Sequence, residues 1–264
     1  MSYETILLDI KRGAATVTLN RPEVRNAFNE TVIAELTEVF GLLGQDPDVR
    51  VIVLAAGSPA FCAGADLNVM KKMALYSQEE NLADAQAMAE MLHQIFACPK
   101  PVVAKIHGDC YAGGMGLVAA CDISVATDTV QFCLSEVKLG LIPATISPYV
   151  IRAMGANAAR RYFVTAERFS AKEAHRIGFI HEVVAAEELD ATVARIVRAI
   201  ADASPNAVLE AKWLVQDVTG MEIDENLLAY TAERIAAIRT SDEGREGISS
   251  FLEKRKPEWL LPEE

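Results

Sequence analysis

Two runs at the start of the chain, ETILLDIKRG and AATVTLN, alternate or run apolar on either side of Arg12-Gly13, the pattern of a β-hairpin. NETVIAELTEVFGLLGQ then places Val32, Leu36, Phe40 and Leu43 at three- and four-residue spacing, which predicts an amphipathic helix capped by Asn29. VRVIVLAA, Val49 to Ala56, is a continuous β-rich run of the kind buried in a parallel sheet, so a β-α-β pattern is under way. The same reading gives a helix from about Gln78 to Phe96 and a buried strand in KPVVAKIHG. A short helix opens at the glycines of YAGGMGLVAACDI, and CDISVAT and VQFCL supply two short strands. From Ile142 onward the pattern is almost wholly helical, restarting near Ser147, Asn157, Ser170, Ala186, Ser204, Glu222 and Ser241. The predicted organisation is an α/β body over residues 1–203 and a helical segment over 204–264, without internal repeats.

Composition narrows the partners. With 264 residues, 51% of them hydrophobic, the chain can bury a large core. A net charge of −12 argues against nucleic acid and anionic membrane surfaces and for a small-molecule partner, with a local basic pocket for an anionic ligand still open. The N-terminus lacks a basic region followed by an apolar one, and no apolar stretch is long enough to span a bilayer, so the expected location is cytoplasmic. Cys62, Cys98, Cys110, Cys121 and Cys133 are odd in number and lack CxxC spacing; they read as small buried hydrophobes. GxSxG, HExxH and GxxxxGK[ST] are absent, and the histidines show only a weak pair at His175 and His181, so no metal is expected. His107 alone lies near the glycine cluster, where a minor pocket role is open.

That cluster supports two readings. Gly114-x-Gly116-x-x-Ala119 fits the dinucleotide fingerprint, with Glu136 about 20 residues on where a ribose-binding acid belongs. Against it, Asp109 to Gly113 separate the strand from the glycines, and a helix ending by Cys121 is only about 13 Å long, short for a nucleotide-binding crossover. The other reading aims the unsatisfied N–H groups of the same helix start at an oxygen that gains charge during reaction. FCAGADL, Phe61 to Leu67, repeats the theme with small residues before Asp66 and offers a second backbone donor. FCLSEVKLGLIPA places a single acid, Glu136, among mostly apolar neighbours at the expected end of a short strand, where desolvation raises a carboxyl toward general acid/base range.

NRPEVRNAFN, FCAGADL and AGGMGLVAACDI followed by SEVKLGLIP, with AERFSAKEAHRIGFIHEVV and the closing FLEKRKPEW, resemble in order and spacing the crotonase, or enoyl-CoA hydratase/isomerase, superfamily over essentially the whole chain. The resemblance implies a crotonase-like spiral of ββα units with a C-terminal helical trimerisation segment, a homotrimer or homohexamer, and acyl-CoA thioester substrates without metal or redox cofactor. It places the oxyanion-hole N–H groups on Ala65 and Gly113, and the acid/base glutamate on Glu136. It places CoA contacts on Arg25, on Ala63, Gly64, Asp66 and Leu67, and on Lys254, the last reaching a neighbouring subunit. Hydratases of the family with two glutamates carry the second at the position of Gly116, so their two-carboxylate mechanism does not transfer unchanged. PATISPY (Pro143 to Tyr149), ENLADAQAMAEML and GGMGLVAACDI look most like the branch of 3-methylglutaconyl-CoA hydratase and the carboxygeranoyl- and isohexenylglutaconyl-CoA hydratases of leucine and acyclic-terpene catabolism. In that branch the substrate's own second carboxylate can orient water where Gly116 leaves space. Two alternatives remain open: an enoyl-CoA isomerase that uses one glutamate, and an acyl-CoA-binding protein without hydratase chemistry.

Overall fold

The computed structural model describes residues 3–57 and 59–261. The chain divides into two compact units, Met1–Arg195 and Ile196–Glu264, so the division falls inside a helix rather than at the Ser204 restart expected from the sequence. No helix among the described residues is long and apolar enough to cross a membrane.

In the first unit, β1 (Ile6–Lys11) and β2 (Ala14–Leu19) form the predicted antiparallel hairpin. Alternate residues Ala15, Val17 and Leu19 of β2 are buried, the period-two pattern of a strand with one covered face. Helix α1 (Glu30–Gln45) follows, its N-cap Asn29 accepting from the Val32 N–H and its buried stripe running Val32, Leu36, Val39, Phe40, Leu43. Strand β3 (Val51–Ala56) pairs parallel to β2, and α2 (Leu67–Met73) and α3 (Gln78–Phe96) return the chain to β4 (Val102–Ile106). Then come β5 (Cys110–Tyr111), α4 (Gly113–Ala120), β6 (Ile123–Thr127) and β7 (Gln131–Cys133). Helix α5 (Ser147–Thr165), broken at Gly155, precedes β8 (Phe169–Ser170), α6 (Ala171–Arg176), β9 (Glu182–Val184) and α7 (Leu189–Ala201).

The strands sort into two sheets, one of order β1-β2-β3-β4-β6-β9 and one of order β5-β7-β8. Two turns of chain, β4-β5-α4 and β6-β7-α5, each lay one strand in the large sheet, one short strand in the small sheet and then a helix, the ββα path expected above. Two of these strands fall where the sequence pattern is read as helical: β8 pairs with β7 through Phe132 and Phe169, and β9 extends the large sheet beside β6. Elements of two or three residues are too short to display a period, so tertiary pairing rather than local pattern creates them. Four of the five cysteines are buried, and none is joined in a disulfide among the described residues.

In the second unit, α8 (Pro205–Val218), α9 (Glu225–Thr240) and α10 (Asp242–Glu253) are capped by Ser204, Asp224 and Ser241, each accepting a backbone N–H from the first turn. Ile248, Phe251 and Leu252 of α10 are exposed.

Phe132 lies fully buried between Phe169 and Phe179, with ring centroids 5.7 and 5.4 Å away, and joins the small sheet to the segment that leads into β9. Phe132→Ala is expected to cost about 3–5 kcal/mol in chemical denaturation.

Candidate active site

The stretch NRPEVRNAFN folds as a tight double turn in which Arg25 and Asn26 both have left-handed backbone, at φ 54° and 55°. Asn tolerates that region better than most residues. Buried Asn26 accepts the Arg21 N–H at 2.8 Å and donates its amide to the Gly57 and Ala60 carbonyls at 2.7 and 2.8 Å. The Arg21 guanidinium donates to the Ala27 carbonyl at 2.6 Å and to the Asp66 carboxylate at 2.9 Å. Asp66 in turn accepts the Asn68 N–H at 2.8 Å as N-cap of α2. That backbone N–H, followed by Arg21, holds the Asp66 carboxyl below the usual aspartate range. Its side chain is therefore engaged within the protein, and what this position offers a ligand is backbone. Sequence reading passed over Arg21 and Asn26 although both stand in the quoted stretch; a buried Asn beside a left-handed turn is the signal they carried.

The double turn sets the next segment in place. The Phe28 N–H donates to the Gly64 carbonyl and the Asp66 N–H to the Phe28 carbonyl, both at 2.8 Å. Between them Ala65 is exposed, and its N–H has no acceptor among the described residues. On the other side, the Tyr111 N–H donates to the Cys62 carbonyl at 2.9 Å and ties the segment to β5. Gly64 has φ +92°, and a methyl built on it would lie 3.0 Å from the Ala112 Cβ and 4.0 Å from the Gly113 nitrogen. Only glycine lets these two loops close to that distance. Ala112 adopts φ 48°, ψ −121°, a strained conformation for a residue with a Cβ; its ψ sets the direction of the Gly113 N–H. Gly113 opens α4, where N–H groups have no intrahelical acceptor. Two backbone donors and a helix N-terminus thus stand together, an arrangement suited to stabilising a developing oxyanion.

Glu136 does not end a strand as the sequence suggests; it opens a short 3₁₀ turn, Glu136–Leu139, after β7. One carboxylate oxygen, Oε2, is buried with no hydrogen-bond partner among the described residues. Burial raises its pKa above the ordinary glutamate value, opposed only by its own backbone N–H and with no cation to compensate. Such a carboxyl is poised to accept and return a proton. Gly116, in contrast, leaves no space: a Cβ there would meet Ile146 at 2.3 and 2.9 Å and Leu92 at 3.5 Å. The expectation of open volume at this position is overturned, because the side chain of Ile146 already fills it.

The profile of the enoyl-CoA hydratase/isomerase family matches residues 9–261. The chain belongs to this family. It is 30% identical to the short-chain-enoyl-CoA hydratase of Clostridium acetobutylicum, over 98% of both chains. It superposes on the crystal structure of an enoyl-CoA hydratase from Shewanella pealeana with TM-score 0.94 and 41% identity, covering 97% of this chain and 96% of that one. AtuE of Pseudomonas aeruginosa gives TM-score 0.93 and 34% identity over 98% of this chain and 100% of that one. The crotonase-type α/β fold is thereby established for this chain.

The positions that the family resemblance links to CoA are spread over both units. Exposed Arg25 and half-buried Ala63 line one cavity of about 390 Å³, together with His107, Asp109, Tyr111 and Thr129. Glu136 and Gly113 do not line it; the Ala63–Asp66 segment runs from its wall to the oxyanion donors. Leu67 is exposed at the start of α2, and Lys254 is the exposed C-cap of α10 in the second unit. His107 keeps its cavity placement: its Nε2 is buried without a partner among the described residues, and burial, then Lys105, lowers its pKa so that it is neutral at pH 7. Among the described residues no three His, Cys, Asp or Glu side chains cluster to hold a metal.

Two stability measurements follow from these environments. Arg21→Ala leaves the nearly buried Asp66 carboxylate without its cation and is expected to cost about 3 kcal/mol in denaturant unfolding. Glu136 carries the opposite sign. A carboxyl whose folded pKa is raised imposes no cost while protonated in both states, below its unfolded value of about 4.3; as pH rises through the folded pKa, that stability is lost. Glu136→Gln should therefore melt above the parent at pH 7, and the difference should close below about pH 4 in paired thermal scans.

Proposed function

We propose that this enoyl-CoA hydratase/isomerase family member adds water across the double bond of 3-methylglutaconyl-CoA or a related branched, carboxylated enoyl-CoA. The observation that carries the hydratase chemistry is half-buried Glu136, whose Oε2 is buried without a partner among the described residues, accompanied by backbone N–H groups at Ala65 and Gly113 that have no acceptor among them. The thioester oxygen sits between those N–H groups. Water bonds to C3 while its proton passes to Glu136, and the C2–C3 π pair moves to the thioester oxygen as an enolate. Glu136 then returns the proton to C2, the carbonyl reforms, and the carboxylate is regenerated. Each oxyanion donor is worth about 3–4 kcal/mol in the transition state, which is why a strained Ala112 is tolerated beside Gly113.

The carboxylated substrate is supported by the PATISPY, ENLADAQAMAEML and GGMGLVAACDI stretches. CoA is held by Arg25, the Ala63 to Leu67 segment and Lys254 of a neighbouring subunit, and the exposed apolar side chains of α10 support assembly as a homotrimer or homohexamer. A second reading, proton transfer between C2 and C4 of a 3-enoyl-CoA by Glu136 alone, is favoured by the lack of a second carboxylate at Gly116. An acyl-CoA-binding role without chemistry is disfavoured, because a buried unpaired carboxylate is costly to keep without use.

Parallel assays of crotonyl-CoA and 3-methylglutaconyl-CoA hydration and of 3-enoyl-CoA isomerisation separate the readings. Hydration of the carboxylated ester is expected to dominate, and Glu136→Gln should lower kcat by about 10²–10⁴ while CoA-ester binding measured by calorimetry stays within a few-fold. Isomerisation without hydration would transfer the assignment to the isomerase.

A further inference from the structure

The two halves of the proposed chemistry hang from neighbouring strands. Gly113 follows β5 with only Ala112 between, and Glu136 follows β7 with Leu134 and Ser135 between. The strands are parallel, Cys110 opposite Phe132 and Tyr111 opposite Cys133, so their register sets how far the oxyanion donor stands from the acid/base carboxyl. With two residues in β5 and three in β7, few hydrogen bonds oppose a slip. A slip of one residue moves Glu136 by about 3.3 Å.

Asp109 stands at the head of this ladder. Its Oδ1 accepts the N–H of Gln131, the first residue of β7, at 3.0 Å, and its Oδ2 accepts the hydroxyl of Tyr111, the last residue of β5, at 2.7 Å. The Arg168 guanidinium lies over the Tyr111 ring, 5.4 Å from its centroid, so ring and hydroxyl are both held. Burial, then the bond to Asp109, pushes the Tyr111 pKa up to about 12, which keeps the hydroxyl a donor at neutral pH. The main chain adds a third tie: the Asp109 carbonyl accepts the Phe61 and Cys62 N–H groups at 3.0 and 3.3 Å, at the start of the segment that ends in Ala65. Asp109 is among the residues that line the cavity beside Arg25, yet both of its carboxylate oxygens are engaged within the protein.

We propose that Asp109 is a positioning residue that sets the spacing between the oxyanion donors and Glu136, one carboxylate oxygen fastening the strand that leads to Gly113 and the other the strand that leads to Glu136. This rests on the hydratase reading above. A carboxylate that accepts a backbone N–H makes one of the stronger hydrogen bonds, and here it is applied where the ladder has least of its own. Asp109 does not touch the reacting atoms; it acts through the two strands.

The test reads the two halves separately, in the full chain at saturating ester. Charge on the thioester oxygen is reported by the absorbance band of the acetoacetyl-CoA enolate, which needs the backbone donors and not Glu136. Proton transfer is reported by exchange of the C2 protons of butyryl-CoA with deuterium, followed by NMR: Glu136 takes a C2 proton, the C–H electron pair moves to the thioester oxygen, and the pair returns to C2 with a deuteron from the solvent-exchanged carboxyl. Asp109→Ala should slow exchange at least about tenfold and leave the enolate band within about twofold of the parent, because misplacement by a fraction of an ångström costs transfer more than binding. Asp109→Asn should bring exchange back to within about threefold, since its carbonyl can accept the Gln131 N–H while its amide donates to the Tyr111 hydroxyl. Parental exchange in the alanine variant, an equal loss of both signals, or an asparagine variant as slow as the alanine would each overturn the proposal. If the alanine variant does not fold, Tyr111→Phe, which keeps the ring and loses the hydroxyl, should slow exchange at least about threefold with the enolate band kept, and parental exchange there overturns the proposal. A parent chain that gives neither signal is a distinct result, which removes the roles of Ala65, Gly113 and Glu136 and the positioning role with them. Isomerisation in place of hydration leaves both signals standing, because both reactions use the same enolate and the same carboxyl.

Discussion

The site depends on how the Arg21–Phe28 turn grips the loop from Gly57 to Asp66. The grip has two parts with different physics. Asn26 spends its buried amide on two loop carbonyls that would otherwise go unsatisfied, which fixes the loop's entry. Arg21 pairs with Asp66 where the two side chains are only 16% and 6% exposed. At that depth the attraction between the charges is largely offset by their lost hydration, so the pair adds little net stability, yet removing either partner is expensive. Its effect is to fix position. Asp66 is bonded to Ala65, so a carboxylate locked by Arg21 and by the first turn of α2 also locks the backbone that presents the Ala65 N–H.

The second donor is fixed by other means, and the difference explains the glycine pattern. Gly113 takes its direction from Ala112, whose strained backbone is held by the N–H donated to the Cys133 carbonyl at 2.8 Å and by contact with Gly64. Helix α4 is buried nearly all round, an unusual surrounding for so short a helix. Little water reaches it, so the partial charge at its N-terminus is weakly screened and acts strongly on an oxygen placed there. The same dryness makes Glu136 costly as an anion. One environment thus strengthens the oxyanion site and raises the basicity of the group that works beside it, and both effects are bought with stability elsewhere in the fold.

Much of this was legible in the sequence, for identifiable reasons. The hairpin, α1 with its Asn29 cap, β3, α3 and the helical restarts near Ser170, Ser204 and Ser241 follow local rules that need no knowledge of distant residues. Strands β8 and β9 do not, because two or three residues beside a sheet edge carry no period of their own. At the site, the glycine cluster, FCAGADL and Glu136 stood out as chemistry, whereas Arg21 and Asn26 resembled ordinary turn residues until the carbonyls and the carboxylate they hold were known. Asp66 was legible at the start of a probable helix, but the engagement of its carboxylate by the Asn68 N–H and Arg21 was not.

Gly116 is the instructive case, because a missing side chain in a sequence does not say whether space is missing too. The residue that occupies its volume lies thirty positions later, at the start of another helix, and contact between α4 and α5 is what makes the two positions one. A backbone oxyanion site is indifferent to such exchanges, since its donors are peptide N–H groups that every sequence has. It can therefore persist while the side chains around it change, provided they change in volume-matched pairs, as dense packing requires. Conversion of one chemistry into another within this framework is thus a problem of paired substitution: adding an acid at Gly116 without opening Ile146 asks the core to hold a side chain where a methyl group already sits.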